Sequence, residues 1–113
     1  MKIVFRPVFV DIVMELVDVL YNMKYFSYES DAQEYVDELY QDIEKNLPLK
    51  QKKPAPPYFE KKYGTGLYYA VFKKSRRTSW YVFFRMFSEN GELIYKVIHI
   101  TNNHVDAKYF INE

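Results

Sequence analysis

Cysteine is absent from the chain, which excludes a disulfide framework and any thiolate metal site. Histidine is almost as scarce. Only His99 and His104 could supply imidazole ligands, so neither a structural metal nor a metal cofactor is expected. Glycine occurs three times, at Gly64, Gly66 and Gly91, and no glycine-rich phosphate loop can be drawn through them. No apolar run reaches the roughly eighteen residues that a membrane helix needs. The N-terminal stretch MKIVFRPVFVDIVMELVDVL also carries Asp11, Glu15 and Asp18 among its apolar residues. Membrane spans and signal peptides are therefore not expected, and a soluble, cytoplasmic protein with no membrane partner is. Internal repeats and coiled-coil heptads are missing too, and 113 residues suffice for one domain with one core.

Charge is present but unevenly spread. The formal net charge is +1, yet residues 1–47 carry ten acids against four bases, while residues 48–85 carry ten bases against one acid, Glu60. A basic middle in a nearly neutral protein points to one anion-attracting surface rather than a general affinity for polyanions. For residues 50–62 taken alone, a solvated lysine-rich loop explains the charge equally well.

Residues 1–6 alternate as a short first strand that ends where Pro7 removes a backbone donor. From Val8 the spacing of Phe9, Ile12, Val13, Leu16, Leu20 and Met23 predicts an amphipathic helix ending near Lys24. A second helix is expected from Ser30-Asp31-Ala32-Gln33, read as a capping box, with a stripe through Tyr35, Val36, Leu39, Tyr40, Ile43 and Leu47 and a stop at Pro48. Two successive stripes make an antiparallel helical hairpin over about residues 8–47, which must bury itself on something further. Residues 48–66 read as a basic, proline-rich loop whose Tyr58, Phe59 and Tyr63 dock on the body.

Residues 67–104 supply the missing surface, as three antiparallel strands with a basic turn at Lys73-Lys74-Ser75-Arg76-Arg77 and an Asn90-Gly91 turn. The fold class is therefore α+β: an N-terminal strand and a helical hairpin packed on a C-terminal three-stranded meander. In the middle strand one face carries Trp80, Val82, Phe84 and Met86, and the other Tyr81, Phe83, Arg85 and Phe87. An arginine among aromatics requires solvent, a charged partner or an anionic ligand, so the second face is the candidate functional face. A surface bridge from Arg85 to Glu60, Glu89 or Glu92 is the competing account. His99, in register with Tyr95 and Val97, reads as a hydrogen-bonded histidine on an apolar strand face. His104 lies beyond the strand end, where polar side chains are more often functional. A helical turn is expected within residues 105–110.

The element order, together with Tyr68-Tyr69-Ala70-Val71-Phe72-Lys73, Thr78-Ser79-Trp80-Tyr81-Val82-Phe83-Phe84-Arg85 and Ile98-His99-Ile100-Thr101-Asn102-Asn103-His104 with Tyr109, resembles the RelE/ParE superfamily of toxins from toxin–antitoxin pairs. Tyr81 stands where RelE-like members have an arginine, and Asn102-Asn103 where they have basic residues, so the HigB-like members are the closer parallel. The resemblance implies a toxin neutralised by a small antitoxin protein, requiring no cofactor. It would act on messenger RNA at the ribosome as an endoribonuclease or, in ParE-like members, on DNA gyrase without catalysis. A plain nucleic-acid-binding domain is the further alternative. RNA cleavage by 2′-hydroxyl attack needs a base, an acid and a cation for the phosphorane. On this reading Arg85 stabilises the transition state and His104 or Tyr109 moves protons. Lys73, Lys74, Arg76, Arg77 and Asn103 hold the RNA, and Tyr81 and Phe83 offer stacking platforms. All of these groups are expected to converge in one concavity of the sheet.

Overall fold

The apolar stripe of the first helical segment is satisfied in the computed structural model, which describes residues 1–110. Helix α1 (Pro7–Asn22) buries Phe9, Val13, Val17 and Leu20 and begins on Pro7, where the missing N–H costs nothing. It ends in a left-handed cap. Lys24 adopts φ 63°, with its N–H on the Tyr21 carbonyl and the Tyr25 N–H on the Leu20 carbonyl. A side chain at a left-handed position is costly, so Lys24→Gly is expected to raise stability by about 0.5–1 kcal/mol in urea unfolding.

Helix α2 (Glu29–Asn46) buries Ala32, Val36, Leu39 and Ile43. The expected capping box does not form, because the helix starts one residue before Ser30. The N-cap is Tyr28, which makes no side-chain cap bond, and Gln33 donates to Asp37 instead (2.9 Å). Glu29 and Asp31 in the first turn supply the favourable charge at this helix end. Pro48 lies in a 3-10 turn, Leu47–Leu49, that closes the helix. The buried stripes of the two helices share one apolar cluster, against which Phe26 of the connection packs beside Tyr35 (5.4 Å between centroids) and Phe5, ahead of α1, beside Tyr40 (4.7 Å). Among the described residues, no helix is long and apolar enough to cross a membrane.

The sheet has five strands where four were expected: β1 (Lys2–Phe5), β2 (Lys53–Pro54), β3 (Tyr68–Lys73), β4 (Ser79–Glu89) and β5 (Glu92–Asn102), in the order β1-β5-β4-β3-β2. β3, β4 and β5 form the antiparallel meander, while β1 pairs parallel with β5, so the sheet is mixed. Asn90 (φ 52°) and Gly91 (φ 78°) make the two-residue turn that the right-handed strand twist favours.

Residues 48–66 are not an unstructured loop. They hold edge strand β2, where Pro54 needs no ladder donor, and helix α3 (Pro57–Tyr63), entered through extended Pro56. Helix α4 (Asn103–Asp106) and a 3-10 turn (Ala107–Phe110) follow the last strand.

Two cores result. The helical pair packs on one sheet face around Phe72, Trp80, Val82, Phe84, Tyr95 and Val97. On the other face, α3 and the C-terminal turn cover Tyr69, Phe83 and Ile98 through Phe59 and Phe110. The face expected to open onto a ligand is thus filled by the protein itself. A bulge adds a further correction: Phe83 pairs with His99 and Phe84 with Val97, leaving Ile98 as an extra residue. His99 therefore sits on the α3 face, opposite Tyr95 and Val97, stacked on Tyr63 at 4.9 Å.

Candidate functional site

Lys73, Arg76 and Arg77 of the β3–β4 turn stay in solvent, Lys74 is half-buried, and the turn is held from below. Lys74 and Ser75 donate their N–H groups to the Thr78 carbonyl (3.0 and 3.3 Å), closing the hairpin. Asn103 then clamps it to α4: its Oδ1 accepts from Ser79 N (2.8 Å) and its Nδ2 donates to the Arg77 carbonyl (2.8 Å). Asn103 is therefore a fixture of the hairpin rather than a free hydrogen-bonding arm. Asn102 caps α4, its Oδ1 accepting from His104 N (2.9 Å) and Val105 N (3.1 Å).

These contacts bring the exposed His104 ring to the hairpin, where its Nε2 lies 2.9 Å from the Thr78 hydroxyl. Below them opens a cleft of about 410 Å³ between the hairpin, the C-terminal half of α1 and the start of α2. Its floor is apolar and aromatic, formed by Leu16, Leu20, Phe26, Tyr35, Trp80 and Ile100. Its polar lining holds Lys74, Ser75, Thr78, Thr101, Asn102 and His104, and no carboxylate among the described residues lines it. Lys74 also pairs with Asp42 at 3.5 Å, just outside. Lys73, Arg76 and Arg77 are exposed on the same hairpin. An anion approaching this rim meets Lys74 and one imidazole, with three further cations exposed on the same hairpin.

The other candidate residues lie elsewhere. Arg85 is on the α3 face near the opposite end of β4, donating to the Tyr63 carbonyl through Nη2 and to the Thr65 carbonyl through Nε (3.3 Å). Its partner is thus the C-terminus of α3, where free carbonyls and the helix dipole favour a cation. Among the described residues, neither Glu60, Glu89 nor Glu92 forms an ion pair with it. A Cβ at Gly64 would sit 2.5 Å from Arg85 Nη2, and Gly64 has φ 102°, so this crossing needs glycine. Arg85→Ala is expected to cost about 1–2 kcal/mol in urea unfolding and to loosen α3. Nucleic-acid affinity should be unchanged.

Tyr109 lies flat on Tyr58 (3.8 Å between centroids) beneath Lys108, and a hydrogen bond between the two tyrosines raises the Tyr58 pKa. Tyr81 is half-buried under Phe110 (3.9 Å), and burial raises its hydroxyl pKa. Phe83 is fully buried. Neither aromatic is an open stacking platform. Arg85, His104 and Tyr109 thus do not converge: His104 meets the basic hairpin, while Arg85 and Tyr109 belong to the second core. Sequence reasoning had passed over Thr78, Tyr35 and Trp80, which share the cleft with His104. Among the described residues, no group of three or more His, Asp or Glu could hold a metal ion. Comparison with protein-family models, with curated proteins and with solved structures finds no match.

Proposed function

We propose that this chain is a toxin of the RelE/ParE type, HigB-like in its chemistry, that inhibits translation by acting on messenger RNA and is neutralised by a small antitoxin. The strand, helix pair, basic segment and meander support the superfamily assignment. One observation carries the RNA reading: Lys74 and the His104 ring share the rim of a cleft that no carboxylate among the described residues lines, with Lys73, Arg76 and Arg77 exposed on the same hairpin. Lys73, Lys74, Arg76 and Arg77 hold backbone phosphates, and Thr78 orients the imidazole. In cleavage, His104 accepts the proton of a ribose 2′-hydroxyl as the O2′–P bond forms. The P–O5′ bond then breaks, and the imidazolium returns the proton to O5′. The products are a 2′,3′-cyclic phosphate and a 5′-hydroxyl. Lys74 is the cation placed to offset charge on the phosphorane.

A second reading is favoured by a specific observation: Arg85 and Tyr109 are engaged within the protein, which leaves the hairpin cations and His104 to meet a partner. A member that binds RNA, or a protein target such as gyrase, without cleaving would need no more than this.

Induced expression separates the two. Loss of translation with cleaved transcripts, abolished by His104→Ala at unchanged melting temperature, supports the nuclease. Arg76→Ala/Arg77→Ala should weaken RNA binding at least about tenfold and flatten its salt dependence. Growth arrest with intact transcripts and damaged DNA supports the gyrase reading. Absence of any growth effect or RNA affinity rejects the proposal.

A further inference from the structure

We infer that the cleft beneath the hairpin receives one unstacked base of single-stranded RNA, an inference that rests on the RNA reading above. Its volume of about 410 Å³ falls within the range of sites that enclose small ligands. A base offers two flat apolar faces and a polar edge, and the cleft offers complements to both. Leu20, Phe26 and Ile100 are apolar walls, and the Trp80 indole lies along the floor. Tyr35 accepts the Trp80 Nε1–H (2.9 Å), which leaves its own O–H to donate to a ring nitrogen or carbonyl.

The rim decides between occupants. With Lys74 and His104 at the mouth, Lys73, Arg76 and Arg77 exposed on the same hairpin against the one carboxylate, Asp42, that Lys74 meets, and no carboxylate among the described residues in the lining, an anionic polar end fits the occupant. A nucleotide satisfies both parts at once: phosphate on the hairpin, ribose beside His104, base inward. Duplex RNA cannot, because its bases are stacked and paired. The cleft thus selects single strands, and discrimination among bases falls to Tyr35.

Trp80 is the one tryptophan of the chain and lines this cleft, so tryptophan fluorescence reports on its occupation. Hexa-adenylate and hexa-uridylate RNA should quench it on titration, whereas a six-base-pair RNA duplex should bind the hairpin without quenching. Val105 lines the mouth and is 69% exposed, so Val105→Phe narrows the cleft without touching the core. Single-strand affinity should fall about tenfold in this variant, the size of one lost stack, with quenching abolished and melting temperature unchanged. Equal binding by wild type and Val105→Phe with steady Trp80 emission overturns the base subsite and leaves the RNA reading intact. Quenching by an acidic amphipathic peptide but not by RNA assigns the cleft to a protein partner and overturns it too. Binding of neither oligonucleotide removes both readings.

Discussion

Phe83→Ala is expected to destabilise the protein by about 3–5 kcal/mol, a large share of the total stability of a domain this size. The ring is fully buried, and the whole second core gathers around it: Phe59 lies 4.5 Å away between centroids, His99 5.9 Å, Tyr69 6.0 Å and Phe110 6.2 Å. Phe59 belongs to α3 and Phe110 to the C-terminal turn, so truncation removes the surface on which both segments rest. The helical pair uses the opposite sheet face and keeps its contacts. Urea unfolding should show the loss. Hydrogen exchange should accelerate in α3 and the C-terminal turn well before α1 and α2. Phe83→Leu keeps most of the volume and should cost only about 1–1.5 kcal/mol, which provides a folded variant for the exchange measurement. Even acceleration across all four helices would contradict the division into two cores.

The residues that made this second core hard to foresee are few. The stripes of α1 and α2 and the Asn90-Gly91 turn announce themselves, because 3.6-residue periodicity and positive φ leave marks in a sequence that tertiary context seldom overrides. Helix α3 leaves almost none: seven residues that begin on Pro57, just after Pro54 and Pro56, resemble an extended linker, and burial of Phe59 is what favours the turn. Once α3 is missed, Arg85 reads as a waiting anion site or as half of a surface bridge, although the backbone carbonyls of residues 63 and 65 satisfy it. His99 was hidden for another reason. Val97, Ile98 and Ile100 are apolar on both sides of the bulge, so no break in alternation betrays the shift that turns His99 toward α3. The pairing of His104 with the basic hairpin was half legible. Both lie beyond strand ends, but their meeting depends on the Asn103 clamp, a contact across 26 residues.

The same bulge makes the fold acid-sensitive. His99 is wedged between Tyr63 and Phe83, and its pKa is lowered to about 4, first by burial and then by the positive charge of Lys62, with Asp106 opposing weakly. In the unfolded chain the imidazole titrates near 6.5. Between those values the unfolded state binds a proton that the folded state refuses, so acid favours unfolding. The contribution of neutral His99 is complete above about pH 6.5 and is lost progressively as pH falls toward 4. Its size is on the order of 2–3 kcal/mol after allowance for the partly exposed ring edge. Carboxylates titrate at the lower end of this window, so the measurement that isolates His99 is a difference. His99→Phe keeps a flat ring against Tyr63 and Phe83 but cannot take a proton, and its stability should fall less than that of wild type between pH 7 and 4.5. The two unfolding curves should diverge from about pH 6.5 downward. Parallel curves would mean that the ring reaches water in the folded protein, and α3 would then not seal this end of the sheet.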